Sequence, residues 1–564
     1  MRCAQIKGDG MKFFTPYVGA FAVIAAFACC PEVRAQIVER PAPGDPIALD
    51  TGKVAGKLLD SGVRGYFGVP YAAAPIGTLR WREPQPLDPW SGVYNADRFA
   101  PECIQILRPH GINHYFGEEA TSEDCLYLNL WIPPNATAES RLPVILWIHG
   151  GGLSIGSASM ANYSGEKLAE KGVVYVSVGY RLGAFGFMAH PQLTEESPFH
   201  ASGNYGYLDQ VAALQWIQRN IERFGGDRTR VTLMGQSAGA GSAFSLQVSP
   251  MAKGLFHRIV GMSGGGLRSG VELPTQQQAE ASGFELQKVL GVDSLAALRN
   301  IPADRILAAQ AEFQLGGTAG TVRFRPNIDA RFTPKQPSET FANGEQNDVP
   351  LLLGFTRDES SNELRAAKDR AQFQQAAEKY FGDRSGEFLR LYPATDTDVS
   401  RVGAQAARDG GMATSMRSWA YGQMKKGRQP VYLYMYSHEH SYAPGVVIAD
   451  INPQSAGAYH SSEIPFFLLT LDAYNRIRPT RAWNAEDRAL AATMSEVLIA
   501  FASSGSPQTQ KLRLPRFDAR REPLIEFGDE VKPISFNKSR MDFFSTVNAP
   551  GAVGPAPTPR LPRD

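Results

Sequence analysis

Chemistry concentrates in the run Gly235-Gln236-Ser237-Ala238-Gly239. It follows a compact β-type run, RVTLMG at 230–235, and opens a small-residue stretch, AGAGSAFSL, of helical character. A serine on such a strand-to-helix turn is held in a strained conformation that projects its hydroxyl, while flanking glycines let strand and helix approach. Ser237 is therefore the candidate nucleophile. A functionless Gly/Ser-rich turn could carry the same five letters; the strand before it and the helix after it separate the two possibilities.

A serine that attacks a carbonyl needs an anion cradle. His149-Gly150-Gly151-Gly152 follows the apolar run LPVILWI at 142–148, so the loop presents backbone N–H groups without side chains to block them. Ala238 would open a helix, whose first N–H groups point toward developing negative charge. Gly151, Gly152 and Ala238 are thus the candidate oxyanion donors. No GKS or GxGxxG follows, which argues against a nucleotide loop.

The base must be a histidine, and the chain has nine. Hydrolases built on a nucleophile elbow order their triad as Ser, then Asp/Glu, then His, which leaves His257, His438, His440 and His460 downstream. His257 sits too close, just before the next strand. His438 and His440 form an HxH that is expected at a surface strand end, with no third ligand of metal-binding spacing. His460 lies in GAYHSSEIPFF, a glycine-flanked loop from which a ring can be aimed into a cleft, and is the preferred base. The acid is expected on a loop after a late strand; VPLLLGF at 349–355 is followed by Asp358 and Glu359, and on physical grounds either carboxylate could orient the imidazole.

The elements that must position these groups are legible as a pattern. Residues 36 to about 140 are rich in Gly, Pro and turn signals, with short β-type runs at Val63 to Tyr71 and Leu126 to Ile132. Beyond them come compact apolar strands at 142–148, 173–178, 230–235, 258–262, 349–355 and 431–437, separated by helical stretches. Alternation of this kind predicts a wound α/β sheet. The clearest helix spans Tyr207 to Phe224, where Leu208, Val211, Leu214, Ile217 and Ile221 recur at helical spacing before Gly225-Gly226. Further helices are expected around 274–312 and up to about 425. The single hydrolase domain is expected over 36–547, and the Pro/Ala/Gly-rich tail 548–564 is expected to be disordered.

Composition removes whole classes. With 43% hydrophobic residues and 57 Lys+Arg against 56 Asp+Glu, the chain is neither a disordered polymer nor a typical nucleic-acid binder. Residues 1–35 read as a signal peptide: Lys12, a mostly apolar run from Phe13 to Cys30, and Val33-Arg34-Ala35 at the cut, with Met11 an alternative start. Pro16 and Gly19 interrupt the apolar run, so cleavage is expected rather than stable membrane insertion. Ala26-Phe27-Ala28 before Cys29 is a poor lipidation box. A secreted or periplasmic location follows as an expectation. It leaves Cys103 and Cys125 in the mature chain, most simply as one disulfide, two unrelated buried thiols being the alternative. No CxxC or HExxH suggests a metal, and no cofactor is expected.

Over most of its length the chain resembles the type-B carboxylesterases, an α/β-hydrolase family that includes cholinesterases, bacterial p-nitrobenzyl esterases and the non-catalytic neuroligins. The resemblance rests on FGVPYAAAPIGTLRW at 67–81, Cys103-Ile104-Gln105, EDCLYLN at 123–129, HGGGL at 149–153, YRLGAFGF at 180–187 and NYGYLDQVAALQWIQRNIERFGGD at 204–227. GQSAGA, GFTRDES and GAYHSSEIPFF complete it in order. It implies Ser237 as nucleophile, Glu359 rather than Asp358 as acid, His460 as base, the Gly151/Gly152/Ala238 hole and a Cys103–Cys125 disulfide.

Departures narrow the substrate. Gln236 stands where many relatives carry a glutamate, which removes a negative charge, and the Cys103–Cys125 loop has Tyr115 and Phe116 but no Trp, so a choline ester is disfavoured. Gly179 and Ser360 also depart from the family pattern and read as local turn adjustments. The implied partner is a small ester, simple alkyl or aryl or a bulkier natural-product ester, in a pocket formed by loops such as 153–163, 313–333 and 412–420. The alternatives are an amidase or peptidase with the same triad, and a non-catalytic binding protein on the same fold.

Overall fold

Apolar runs with no polar face are stable only where both sides of a sheet are covered, and the computed structural model shows that arrangement. It describes residues 40–108, 111–113, 119–267, 272–310 and 322–547. The expected leader, the C-terminal tail, Tyr115 and Phe116 lie outside the described residues. Eleven strands among them form one sheet: β1 (Lys57–Leu58), β2 (Arg64–Pro70), β3 (Tyr127–Ile132), β4 (Leu142–Ile148), β5 (Val174–Val178), β6 (Gly226–Gln236), β7 (Arg258–Met262), β8 (Leu351–Thr356), β9 (Val431–Tyr436), β10 (Pro523–Phe527) and β11 (Val531–Ser535). Their spatial order is β11-β10-β9-β8-β7-β6-β4-β5-β3-β2-β1.

The block from β5 through β4 and β6 to β10 is parallel, and the flanking strands run antiparallel. From β4 the chain goes to β5 on one side and returns to β6 on the other, so the carboxyl end of β4 is a switch point, where open α/β sheets bind ligands. Register sets the loops at one level: Ile148 pairs with Gly235, Gln236 with Met262, and Met262 with Gly354. The predicted serine, glycine and acid loops all leave from this edge.

Side chains along β4 alternate between two cores. Val144, Leu146 and Ile148 pack with Leu214, Trp216 and Leu246 on one face. Ile145 and Trp147 pack with Tyr175, Met494 and Phe501 on the other. The first face is covered by α1 (Tyr205–Asn220) and α2 (Ala238–Val248). Leu208, Val211, Leu214 and Ile217 are buried as the periodicity requires, but the helix ends four residues earlier than predicted: Ile221–Phe224 tighten into a 3-10 turn that Gly225, at φ 86°, terminates. The second face is covered by α3 (Ala485–Ser504), which starts at an Asn484/Asp487 capping box and stops at Gly505. Neither α3 nor the β10–β11 hairpin was anticipated from the sequence.

The irregular entry region is tied to the rest by a few polar anchors. Arg80 pairs with Glu123 (Nε–Oε2 2.7 Å) and donates to the carbonyls of Arg299 and Ile301. Arg181 and Asp209 form a fully buried pair at 2.6–3.0 Å. Gly179 is explained by crowding: a Cβ there would stand 2.8 Å from the Cys125 carbonyl oxygen. The Cys103 and Cys125 sulfurs are 2.04 Å apart. Among the described residues no helix is long and apolar enough to cross a membrane.

Candidate active site

Ser237 lies between the end of β6 and the start of α2 at φ 57°, ψ −122°, a conformation that costs roughly 1–3 kcal/mol for a residue with a side chain. Close packing holds it there. Its N–H donates to the Met262 carbonyl at 2.8 Å. A Cβ on Gly239 would stand 2.0 Å from the Ile148 carbonyl oxygen, one on Gly235 2.4 Å from the Gly239 backbone, and one on Gly264 1.9 Å from the Ser237 carbonyl oxygen. The first two glycines were visible in the motif; Gly264 was not.

Beyond β4, Gly151 and Gly152 both take positive φ, 111° and 63°. No acceptor among the described residues takes their N–H groups, and Ala238 is the first residue of α2, so its N–H has no intrahelical partner. The loop is held from several sides. Ile155 N–H donates to Gly151 O at 3.1 Å, Gly183 N–H to Leu153 O at 2.7 Å, and the Tyr180 hydroxyl to His149 O at 2.9 Å. Gln105 clamps Gly156 on both sides, accepting its N–H at 2.7 Å and donating to its carbonyl at 2.8 Å. Its position two residues after Cys103 was noted in the sequence, but its contact with the glycine loop was not foreseen. His149 is stacked on Tyr180 and donates from Nδ1 to Gly150 O; burial pushes its pKa down to about 4, so it acts as a neutral brace.

Downstream of β8 the structure distinguishes the two carboxylates. Glu359 accepts the Thr356 N–H through Oε1 at 2.9 Å and meets His460 Nδ1 through Oε2 at 2.5 Å. Asp358 instead pairs with Arg357 and accepts the Ala458 N–H at 3.0 Å, bracing the histidine loop. The side chain of His460 is 19% exposed and that of Glu359 only 1%. Ser237, Gly151, Ala238 and His460 are half-buried and Gly152 is exposed.

The HxH pair is not a surface strand end. Both rings are buried because the chain beyond β9 runs against the start of α3. His438 bonds Asp487, the capping-box residue of α3, and Asp529, each at 2.7 Å. His440 donates from Nε2 to Ser462 O at 2.7 Å and accepts at Nδ1 from Arg481 and Tyr459, pinning the turn that carries His460. Burial and the Arg481 charge push its pKa well below the usual imidazole value. His257 accepts the Val231 N–H at the opposite edge of the sheet, the amino end of β7.

Glu463, three residues past His460, is a buried carboxyl that the sequence did not single out. Oε1 accepts from the Ser263 hydroxyl at 3.4 Å, and Oε2 has no partner among the described residues. Burial first, and the Glu359 charge second, push its pKa from the usual 4.5 up to about 8, so it is neutral at pH 7. Because the folded pKa is raised, Glu463 contributes stability that is fully present below about pH 4.5 and is lost as pH rises through about 8. Glu463→Gln is therefore expected to flatten that decline and to be more stable than the parent above pH 8; urea unfolding from pH 5 to 9 checks it, and parallel curves would refute it.

A parallel sheet with a serine elbow, a glycine loop and a His–Glu pair gathered at its switch point defines an α/β-hydrolase of the serine esterase class. The chain belongs to the Carboxylesterase family, whose profile matches residues 45–544. It is 36% identical over 496 residues to the fumonisin B1 esterase of Sphingopyxis macrogoltabida, covering 85% of this chain and 86% of that one. It is 31% identical over 489 residues to the para-nitrobenzyl esterase of Bacillus subtilis, covering 85% and 94%. A solved PNB esterase structure superposes with a TM-score of 0.72 at 29% identity, over 90% of this chain and 99% of the other. The protein is a carboxylesterase-type serine hydrolase.

Proposed function

We propose that this is an exported carboxylesterase that works through an acyl-enzyme on Ser237. His460 removes the Ser237 proton as Oγ adds to the ester carbonyl, and the N–H groups of Gly151, Gly152 and Ala238 hold the resulting oxyanion. Collapse of the tetrahedral intermediate breaks the bond to the alkoxy oxygen, which takes its proton from His460. Water then attacks the acyl-enzyme by the same route and regenerates the serine. Glu359 holds the ring with its proton on Nδ1 and stabilises the imidazolium. The observation that carries the reading is the 2.5 Å Glu359–His460 contact at the same sheet edge as the strained Ser237.

The substrates proposed are alkyl or aryl esters or a bulkier natural-product ester. Relatives named for para-nitrobenzyl esters, fumonisin B1 and phenmedipham support breadth rather than one ester. Export is supported by Lys12, the apolar run that follows and Val33-Arg34-Ala35, and the paired Cys103 and Cys125 suit an oxidising compartment. The test is intact-mass spectrometry of the exported protein with a fluorophosphonate. One adduct, absent in Ser237→Ala and accompanied by p-nitrophenyl ester turnover, is expected, on a chain beginning after Ala35. Folded protein that neither labels nor turns over would overturn the reading.

A further inference from the structure

We infer that Gln236 is a latch on the base: its carboxamide occupies the lone pair of His460 Nε2 in the free enzyme, and Ser237 must displace it to react. This rests on the assignment of Ser237 and His460 above. Glu359 is an acceptor at 2.5 Å from Nδ1, so Nδ1 carries the ring proton and Nε2 of the neutral imidazole is a bare acceptor. Gln236 Nε2 lies 3.1 Å from that nitrogen, and only an amide N–H can satisfy it there. The carboxamide oxygen faces the other way, 3.2 Å from where a Cβ on Gly150 would sit. Gln236 is 3% exposed, and its side chain makes no other hydrogen bond among the described residues. Ser237 Oγ makes none at all among them, so the acceptor that the serine proton must reach is held by its sequence neighbour.

The chemistry gives the latch two consequences. An N–H donated to Nε2 favours the neutral imidazole and opposes its protonation. When the proton moves from Ser237 Oγ to Nε2, as the Oγ–carbon bond forms and the carbonyl electron pair goes to the oxyanion, the donated hydrogen bond must break. The imidazolium then bears an Nε2–H that an amide N–H cannot accept; the carboxamide has to turn its oxygen inward or withdraw. The other titratable groups around His460 are Glu359 after β8, Glu463 in its own turn, Tyr434 on β9, and Tyr459 and His440 behind the loop. Substitution at position 236 replaces none of them.

The experiment is the pH profile of kcat/KM, with the fluorophosphonate inactivation rate on its alkaline plateau, for the parent, Gln236→Met and Gln236→Glu. Gln236→Met is expected to raise the apparent pKa of the acid limb and to speed inactivation by about two- to tenfold, the worth of one hydrogen bond. Gln236→Glu, which can accept from the imidazolium but cannot donate to the neutral ring, is expected to move the limb further in the same direction. Superimposable acid limbs and equal inactivation rates, with Ser237 labelled in all three, would overturn the latch alone. Absence of labelling in the parent would overturn the nucleophile assignment and the latch with it. Crystal structures of the free and phosphonylated parent test it without substitution: the amide nitrogen is expected on Nε2 only in the free enzyme, the carboxamide having withdrawn or turned its oxygen inward after phosphonylation, and an unchanged amide-nitrogen contact in both would overturn the inference.

Discussion

Ser237→Ala is expected to lower kcat by about five to six orders of magnitude, because the proposed acyl-enzyme forms on its hydroxyl. The fold should survive. The Ser237 side chain is half-buried and makes no hydrogen bond among the described residues, and alanine bears the same backbone strain at φ 57°. The oxyanion donors remain in place, so a residual acceleration of about 10³–10⁴ over water is expected. Stopped assays on p-nitrophenyl acetate, beside a urea unfolding curve, check both halves. A loss of less than about tenfold in folded protein would show that hydrolysis runs through another group.

Glu359→Gln is expected to cost about 10⁴ in kcat with little loss of stability, for a reason visible in its two oxygens. Oε1 accepts the Thr356 N–H and Oε2 accepts the His460 Nδ1–H. A glutamine has one oxygen. If that oxygen keeps Thr356, the NH₂ group faces Nδ1, turns it into an acceptor and drives the ring proton to Nε2, the nitrogen that has to receive the serine proton. The imidazolium formed during attack also loses its counter-charge. Measurement of kcat at pH 8 decides it; retention of activity within about tenfold would remove Glu359 from the mechanism.

What was legible in the sequence is what local physics specifies. Strands β4 to β9 were readable because burial on both faces makes their central residues largely apolar, and α1 because one face repeats at helical spacing. The β10–β11 hairpin was not: β11 is the sheet's edge, and its VKPIS carries a lysine and a proline, the marks of a strand that needs no second neighbour. Within the site, Ser237 and the glycine loop announced themselves through short motifs. Asp358 and Glu359 are adjacent and chemically equivalent as letters; only the fold, or the resemblance to relatives, tells which one faces a histidine 101 residues away. The HxH pair misled because a strand end looks exposed until α3, which the sequence reading did not anticipate, is packed against it. Gln236 was read as a missing charge, whereas the structure sets its amide 3.1 Å from His460 Nε2.

The residues of this site are spread widely along the chain: His460 lies 224 residues beyond the glutamine it touches and 101 beyond the acid that orients it. None of these contacts exists until β4, β6 and β8 are side by side in register. Loop-closure entropy makes such distant pairings slow to form. On the proposed mechanism, a chain still emerging or still threading has the serine but no base, and so cannot hydrolyse anything it meets. The topology thus works as a timer: the first turnover announces that the central sheet has closed, and the recovery of esterase activity after dilution from urea should trail the return of helical signal.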